Sequence, residues 1–198
     1  VVVGKIDVHA TICDKFRIAP EDPSPRAGRR GTRLLLAELF ADLGYTRGAE
    51  VGVHVGKYAE ALCQANPDLE LLCVDPWDRC PGISRHRAPM LYDETKERLA
   101  PYNTTIVRKT SVEASKEVPD ESLDFVYIDA RHEFDFVMMD LFHWVPKVRS
   151  GGIVSGHDFH YVYYNGLVLA VETYIRAHRI DPWYVLHRDN LPSWLWVK

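Results

Sequence analysis

From about residue 45 to residue 178 the chain alternates short apolar runs with amphipathic stretches, and this rhythm constrains the fold more than any other feature. Ala49–His54, Leu69–Val74, Thr105–Val107, Leu123–Ile128 and Gly152–Ser155 read as strands. Between them, Lys57–Ala65 buries Tyr58, Leu62 and Cys63. Met90–Leu99 and Val112–Glu117 form weaker helical stretches, and Phe134, Val137, Met138, Leu141, Phe142 and Val145 recur at helical spacing. Leu167, Val171, Tyr174, Ile175 and His178 mark a last long helix. Successive β-α units require crossover connections, so the strands run parallel with helices covering both faces. Trp183–His187 and Trp194–Val197, joined by Asp189-Asn190-Leu191-Pro192, read as two consecutive strands. A tight connection forces antiparallel pairing there. The expectation is a Rossmann-like, mostly parallel, seven-stranded α/β sheet closed by a C-terminal antiparallel hairpin.

Residues 1–31 carry Pro20, Pro23, Pro25 and an Arg/Gly cluster and read as an irregular segment, with one domain over 32–198. Thr32 is placed to cap a helix with Leu36, Leu39, Phe40 and Leu43 on its apolar face, ending at Gly44. Arg26, Arg29, Arg30 and Arg33 read as a solvated loop and helix start. Length permits one domain with a full core. A formal charge of −4 gives no general attraction to nucleic acid, and no apolar run is long enough to span a bilayer. Cys13, Cys63, Cys73 and Cys80 lack CxxC spacing, which points to a reducing compartment and no zinc site. With no secretory signal at the first residues, the expected location is cytoplasmic.

In such sheets a ligand lies beyond the carboxyl ends of the strands, where strand order reverses. The first strand runs into Glu50-Val51-Gly52-Val53-His54-Val55-Gly56, whose glycines let a ligand approach the backbone at a helix start. His54 stands where a GxGxxG turn has its middle glycine. The second strand ends in Asp75-Pro76-Trp77, with an acid suited to hydrogen bonding ribose hydroxyls and a Trp that either flanks an adenine or plugs the loop. These two motifs alone also admit a nicotinamide cofactor. The fourth strand ends in Asp129-Ala130-Arg131-His132 and the fifth in Ser155-Gly156-His157-Asp158, so two carboxylates and two imidazoles meet at neighbouring strand tips. Such groups crowd together to hold a cation or move a proton, or they form a structural ion pair among solvated loop residues.

Together Gly48–Tyr58, Cys73–Trp77, Ser122–His132 and Trp144–Asp158 resemble the class I S-adenosylmethionine-dependent methyltransferases, in particular methyltransferase family 24. The resemblance covers about residues 45–198 and implies roles for individual positions. Glu50, Gly52, Val53 and Gly56 would shape the pocket for the methionine part of S-adenosylmethionine. Asp75, Pro76 and Trp77 would serve the ribose, Ser111 and Val112 the adenine, and Asp129 the sulfonium end. A related branch, the divalent-metal-dependent sugar and macrolide O-methyltransferases, implies a magnesium or manganese site at Asp129, His157 and Asp158, with His132 as base and His157 beside it as a second catalytic candidate. His157 departs from that branch by standing where a second carboxylate would be, which would soften the site toward manganese or zinc.

The acceptor is expected to be a small molecule, sugar-bearing or anionic, methylated on a hydroxyl with metal assistance and contacted by Asp78–Pro89 and Phe159–Gly166. Asn165-Gly166 reads as a hinge for a lid. No nucleic-acid or membrane partner is expected, and homo-oligomer formation stays open. The alternatives are a non-catalytic S-adenosylmethionine-binding module or methyltransferase-fold partner protein, an oxidoreductase, which would need the missing glycine turn, and a nucleic-acid methyltransferase, which net acidity disfavours.

Overall fold

The computed structural model describes residues 6–78 and 86–198. Its elements in chain order are α1 (Val8–Phe16), β1 (Arg26–Gly28), α2 (Arg33–Asp42), β2 (Arg47–Val51), α3 (Lys57–Ala65), β3 (Glu70–Val74), α4 (Arg87–Leu99), β4 (Thr104–Val107), α5 (Ser111–Ser115), β5 (Leu123–Ile128), α6 (Phe134–Trp144), β6 (Val148–Gly156), α7 (Asn165–His178), β7 (Trp183–Leu186) and β8 (Ser193–Val197). The strands form one sheet in the order β1-β7-β8-β6-β5-β2-β3-β4. Only the two pairings of β8, with β6 and with β7, are antiparallel.

Period-2 alternation along the strands explains why both faces of the sheet are apolar. On β5, Phe125 and Tyr127 point toward the layer of α1–α4, where they meet Leu36, Phe40, Tyr58 and Leu62. Val126 and Ile128 point the other way, toward Val137, Leu141 and Trp144 of α6 and Val168 and Val171 of α7. Phe40 stacks on Phe125 with centroids 3.9 Å apart. Helix starts follow local chemistry: Thr32 accepts from the N–H of Leu35, and Thr110 with Glu113 forms a reciprocal capping box on α5.

Two sequence expectations change. The sheet has eight strands, because Arg26–Gly28 pairs in parallel with β7. The segment read as irregular also contains α1, capped by the Asp7 side chain and burying Ile12, Cys13 and Phe16. A nine-residue helix followed by a three-residue strand is too short for periodicity to register, and the prolines lie between the two elements. The tail forms the expected antiparallel pair, and β8 is inserted between β6 and β7, with Trp194 and Trp196 fully buried beneath α7. Cys13, Cys63 and Cys73 are free and buried, whereas Cys80 lies outside the described residues. Among the described residues no helix is long and apolar enough to cross a membrane.

Candidate active site

Strand order reverses at β2, which lies between β3 and β5, and a cleft of about 590 Å³ opens at the carboxyl ends of these three strands. The turn after β2 is built around Gly52, whose φ of +95° favours glycine. A Cβ there would stand 2.1 Å from the carbonyl oxygen of Asp129. Asp75 holds the turn from the next strand. Its Oδ2 accepts from the backbone N–H groups of Val53 and His54, each at 3.0 Å, and its Oδ1 from that of Trp77 at 2.7 Å. Oδ1 retains a further lone pair for a ligand hydroxyl, whereas the two N–H groups occupy both lone pairs of Oδ2.

Of the residues assigned to a cofactor from sequence, Gly52, Asp75, Pro76, Trp77, Ser111, Val112 and Asp129 line this cleft. Trp77 does so from within the core. It is 2% exposed, its indole N–H donates to the carbonyl of His54 at 2.7 Å, and its ring packs on Tyr92. Val53 contributes a backbone N–H to Asp75 while its side chain packs in the core, and Gly56 caps α3 against Thr95 and Leu99. Glu50 stands behind the turn, because its strand position faces α2 and α3 rather than the cleft. Burial, followed by the charge of Asp129, raises its pKa well above the usual carboxyl value. Its Oε2 is buried without a hydrogen-bond partner.

Asp140 also lines the cleft, and the sequence reading missed it. Its position on α6 reads as part of an ordinary amphipathic face, yet it is 4% exposed. Its carboxyl accepts from the Ser111 hydroxyl, which in turn accepts from the indole N–H of Trp144 at 2.8 Å. Burial pushes its pKa up to about 6, only partly opposed by the Ser111 hydrogen bond. A lone acid within the apolar period of a helix was the available signal.

Beyond Asp129, at the tips of β5 and β6, the two carboxylates and two imidazoles do converge. His132 Nε2 lies 3.0 Å from Asp158 Oδ2 and 3.6 Å from Asp129 Oδ1, while His157 Nδ1 lies 2.9 Å from Asp158 Oδ1 and 3.8 Å from Asp129 Oδ2. These are ion-pair distances without hydrogen-bond alignment, and His132 Nε2, His157 Nε2 and Asp158 Oδ1 are buried without a hydrogen-bond partner. Burial alone would lower the His132 pKa, but the carboxylates of Asp129 and Asp158 outweigh it and raise the value to about 9. For Asp158, burial is outweighed in the same way by the two imidazoles, which hold its carboxyl well below the ordinary range. The ligand atoms that gather within 4.8 Å of one another come from Asp129, His132 and Asp158. His157, placed with Asp129 and Asp158 in the sequence reading, falls outside this group, its ring tilted toward Tyr127 with centroids 6.4 Å apart.

Of the segments expected to meet an acceptor, residues 79–85, including Arg79 and Arg85, lie outside the described residues. Tyr164 stands edge-on to His132 with centroids 4.5 Å apart, and Tyr161 donates to Glu172 at 2.6 Å. Asn165 and Gly166, read from sequence as a hinge, lie in a helix. They form the first turn of α7, where a Cβ on Gly166 would come within 3.1 Å of the His132 carbonyl oxygen and 3.0 Å of the Phe134 nitrogen.

A doubly wound sheet with one antiparallel insertion, a ligand cleft at the reversal point and an acid on the adjoining strand defines a methyltransferase-type Rossmann-like domain. The model of methyltransferase family 24, described as a methyltransferase domain, matches residues 49–159, and the chain belongs to this family. Among solved structures it is similar to a candidate caffeoyl-CoA O-methyltransferase from Staphylococcus aureus, with a TM-score of 0.68 and 14% identity over 96% of this chain and 91% of that one. It is also similar to the O-methyltransferase from Bacillus cereus in complex with SAH, with a TM-score of 0.61 and 14% identity over 100% and 94%. At these identities the likeness shows the fold. The uncharacterized protein y4gI of Sinorhizobium fredii (strain NBRC 101917 / NGR234) is 30% identical over 122 residues, 57% of this chain. The match spans 13% of that relative's length.

Proposed function

We propose that this domain transfers the methyl group of S-adenosylmethionine to a hydroxyl of a small-molecule acceptor. The observation that carries the reading is a continuous line of groups at the reversal point. It begins with the wall at Ser111 and Val112, passes the Gly52 turn clamped by Asp75, and ends at Asp129 beside the carboxylate–imidazole cluster. The family match supports methyl transfer, and the O-methyltransferases of like fold support an oxygen acceptor.

S-adenosylmethionine carries an already activated methyl group, so the protein's part is alignment of an in-line displacement and management of the acceptor's proton. The turn after β2 leaves backbone at the methionine end, Asp75 addresses the ribose hydroxyls, and Ser111 and Val112 bound the adenine. His132 takes the acceptor's proton. The donor set suits a hard divalent cation, because Asp129 and Asp158 offer carboxylate oxygens and Asp158 Oδ1 is buried without a hydrogen-bond partner. A magnesium or manganese ion held by these two acids would lower the acceptor hydroxyl's pKa and weaken the carboxylates' hold on the His132 proton.

Calorimetry with S-adenosylhomocysteine tests the cofactor assignment, and absence of heat at millimolar ligand refutes it. Chelation is expected to abolish turnover while leaving cofactor binding intact, with recovery on adding magnesium or manganese. His132→Ala is expected to lower turnover about a hundred-fold while manganese affinity stays unchanged. A parallel loss of manganese affinity would make His132 a ligand instead of the base.

A further inference from the structure

A second concavity lies outside the cleft described above. It has a volume of about 550 Å³ and is lined by Arg17, Arg29, Arg30 and Arg188 together with Gly31, Thr32 and Leu35. We propose that this arginine cleft binds the phosphate group of a phosphorylated small molecule. The inference rests on the fold and charge of this corner and not on the methyl-transfer reading.

Charge is the first argument. Some arginines outside this hollow pair with acids, Arg47 with Glu70, Arg98 with Glu60 and Glu94, Arg131 with Glu133 and Arg149 with Asp124, while Arg26 and Arg108 donate to backbone carbonyls. Among the described residues, none of the four cleft guanidinium groups pairs with a carboxylate, although the chain has a net charge of −4. Among the described residues, the one hydrogen bond from these side chains is that of Arg188 Nε to the carbonyl of Arg29, at 3.0 Å. Four like charges around one hollow raise its potential and repel each other, and a bound anion relieves that repulsion. Guanidinium forks suit phosphate oxygens, and a phosphate dianion brings more charge to the hollow than a single carboxylate.

The second argument is that the backbone presenting these arginines is fixed by the fold. Arg30 donates its N–H to the carbonyl of Phe16 at 3.1 Å, which ties the turn after β1 to the end of α1. Arg188 donates its N–H to the carbonyl of Gly31 at 2.9 Å, which joins that turn to the one after β7. Beneath them β1 pairs with β7, and Gly28 and Gly31 sit so close to Leu186 that a Cβ on either would clash with its side chain. Three separate chain segments therefore place their arginines around one hollow before any ligand arrives, which lowers the ordering cost of binding. The start of α2 adds little, since the N–H of Arg33 already donates to Asp189 at 2.6 Å and that of Leu35 to Thr32. A concave site on an acidic domain favours a small phosphorylated molecule over a nucleic-acid backbone, which would need an extended basic track.

The test uses isothermal titration of the whole chain with inorganic pyrophosphate and, in parallel, inorganic phosphate. Saturable one-to-one binding with Kd below about 1 mM at low salt is expected, weakening as salt rises. The double variant R29Q/R30Q removes two side chains that make no hydrogen bond or ion pair among the described residues, so its fold should survive; affinity should fall at least about tenfold. R47Q, which removes a paired arginine remote from the cleft, should bind as the parent does. Loss of pyrophosphate binding in R29Q/R30Q with S-adenosylhomocysteine binding retained supports a separate anion site. Absence of saturation by 10 mM pyrophosphate, or equal affinity in R29Q/R30Q, overturns the proposal. A single-stranded oligonucleotide that binds more tightly than pyrophosphate and covers several nucleotides overturns the small-molecule assignment.

Discussion

Asp140→Asn should make the protein more stable at neutral pH, and the gain should shrink as the pH falls. The Asp140 pKa is raised by burial from 3.8 to about 6. Between these two values the native state holds a proton that the unfolded chain has released, so stability falls as pH rises through this window. The sign is opposite to that of a salt-bridged carboxylate. At 1.36 kcal/mol per pKa unit, keeping an ionised Asp140 buried costs on the order of 3 kcal/mol at neutral pH. Asn keeps an amide oxygen to accept from Ser111 and carries no charge. After allowing about 1 kcal/mol for a weaker hydrogen bond, the variant should gain about 1–2 kcal/mol near neutrality. The check is urea unfolding of both proteins at several pH values between about 4.5 and 7.5, where their stability difference should change by about 2 kcal/mol. Using the difference cancels every group the two proteins share. Stability curves that stay parallel across that range would show that Asp140 is solvated or paired, and the burial argument would fall.

Asp75→Ala removes the acceptor for three backbone N–H groups as well as the proposed ribose contact, and calorimetry should show S-adenosylhomocysteine affinity reduced about ten- to a hundred-fold. Gly52→Ala forces a Cβ into the Asp129 carbonyl at positive φ; chemical denaturation should show a loss of at least about 2 kcal/mol, and cofactor heat should vanish. Deleting residues from Pro192 onward removes β8 from between β6 and β7, so the product should be insoluble or lack a cooperative melt. The raised pKa of His132 predicts that its ion pairs stabilise the metal-free fold fully below about pH 6.5. That contribution fades as pH rises through about 9, and His132→Gln should flatten that part of the stability profile.

The parallel sheet was legible in the sequence because its information is local. Lys57–Ala65 and Leu123–Ile128 have the boundaries that their apolar periods indicate, and the residues of the ligand turn follow directly from strands whose carboxyl ends must face one edge. Asp75 and Asp129 line the cleft for the same reason, as residues placed by the ends of recognisable strands, and Ser111 and Val112, suggested by the family resemblance, line it with them. Only the tertiary structure decided what depends on partners distant in the chain. The three residues of β1 become a strand only because β7, more than 150 positions later, supplies the ladder. The buried tail strand owes its place to pairing on both sides, which no turn signal encodes. Glu50 sits in the ligand motif, yet strand alternation turns it behind the turn, while Asp140 lies in an unremarkable helix whose packing delivers it to the cleft. Periodicity assigns a side chain to a face; whether that face meets water, a ligand or another charge is set by what packs opposite, and that is a property of the whole fold.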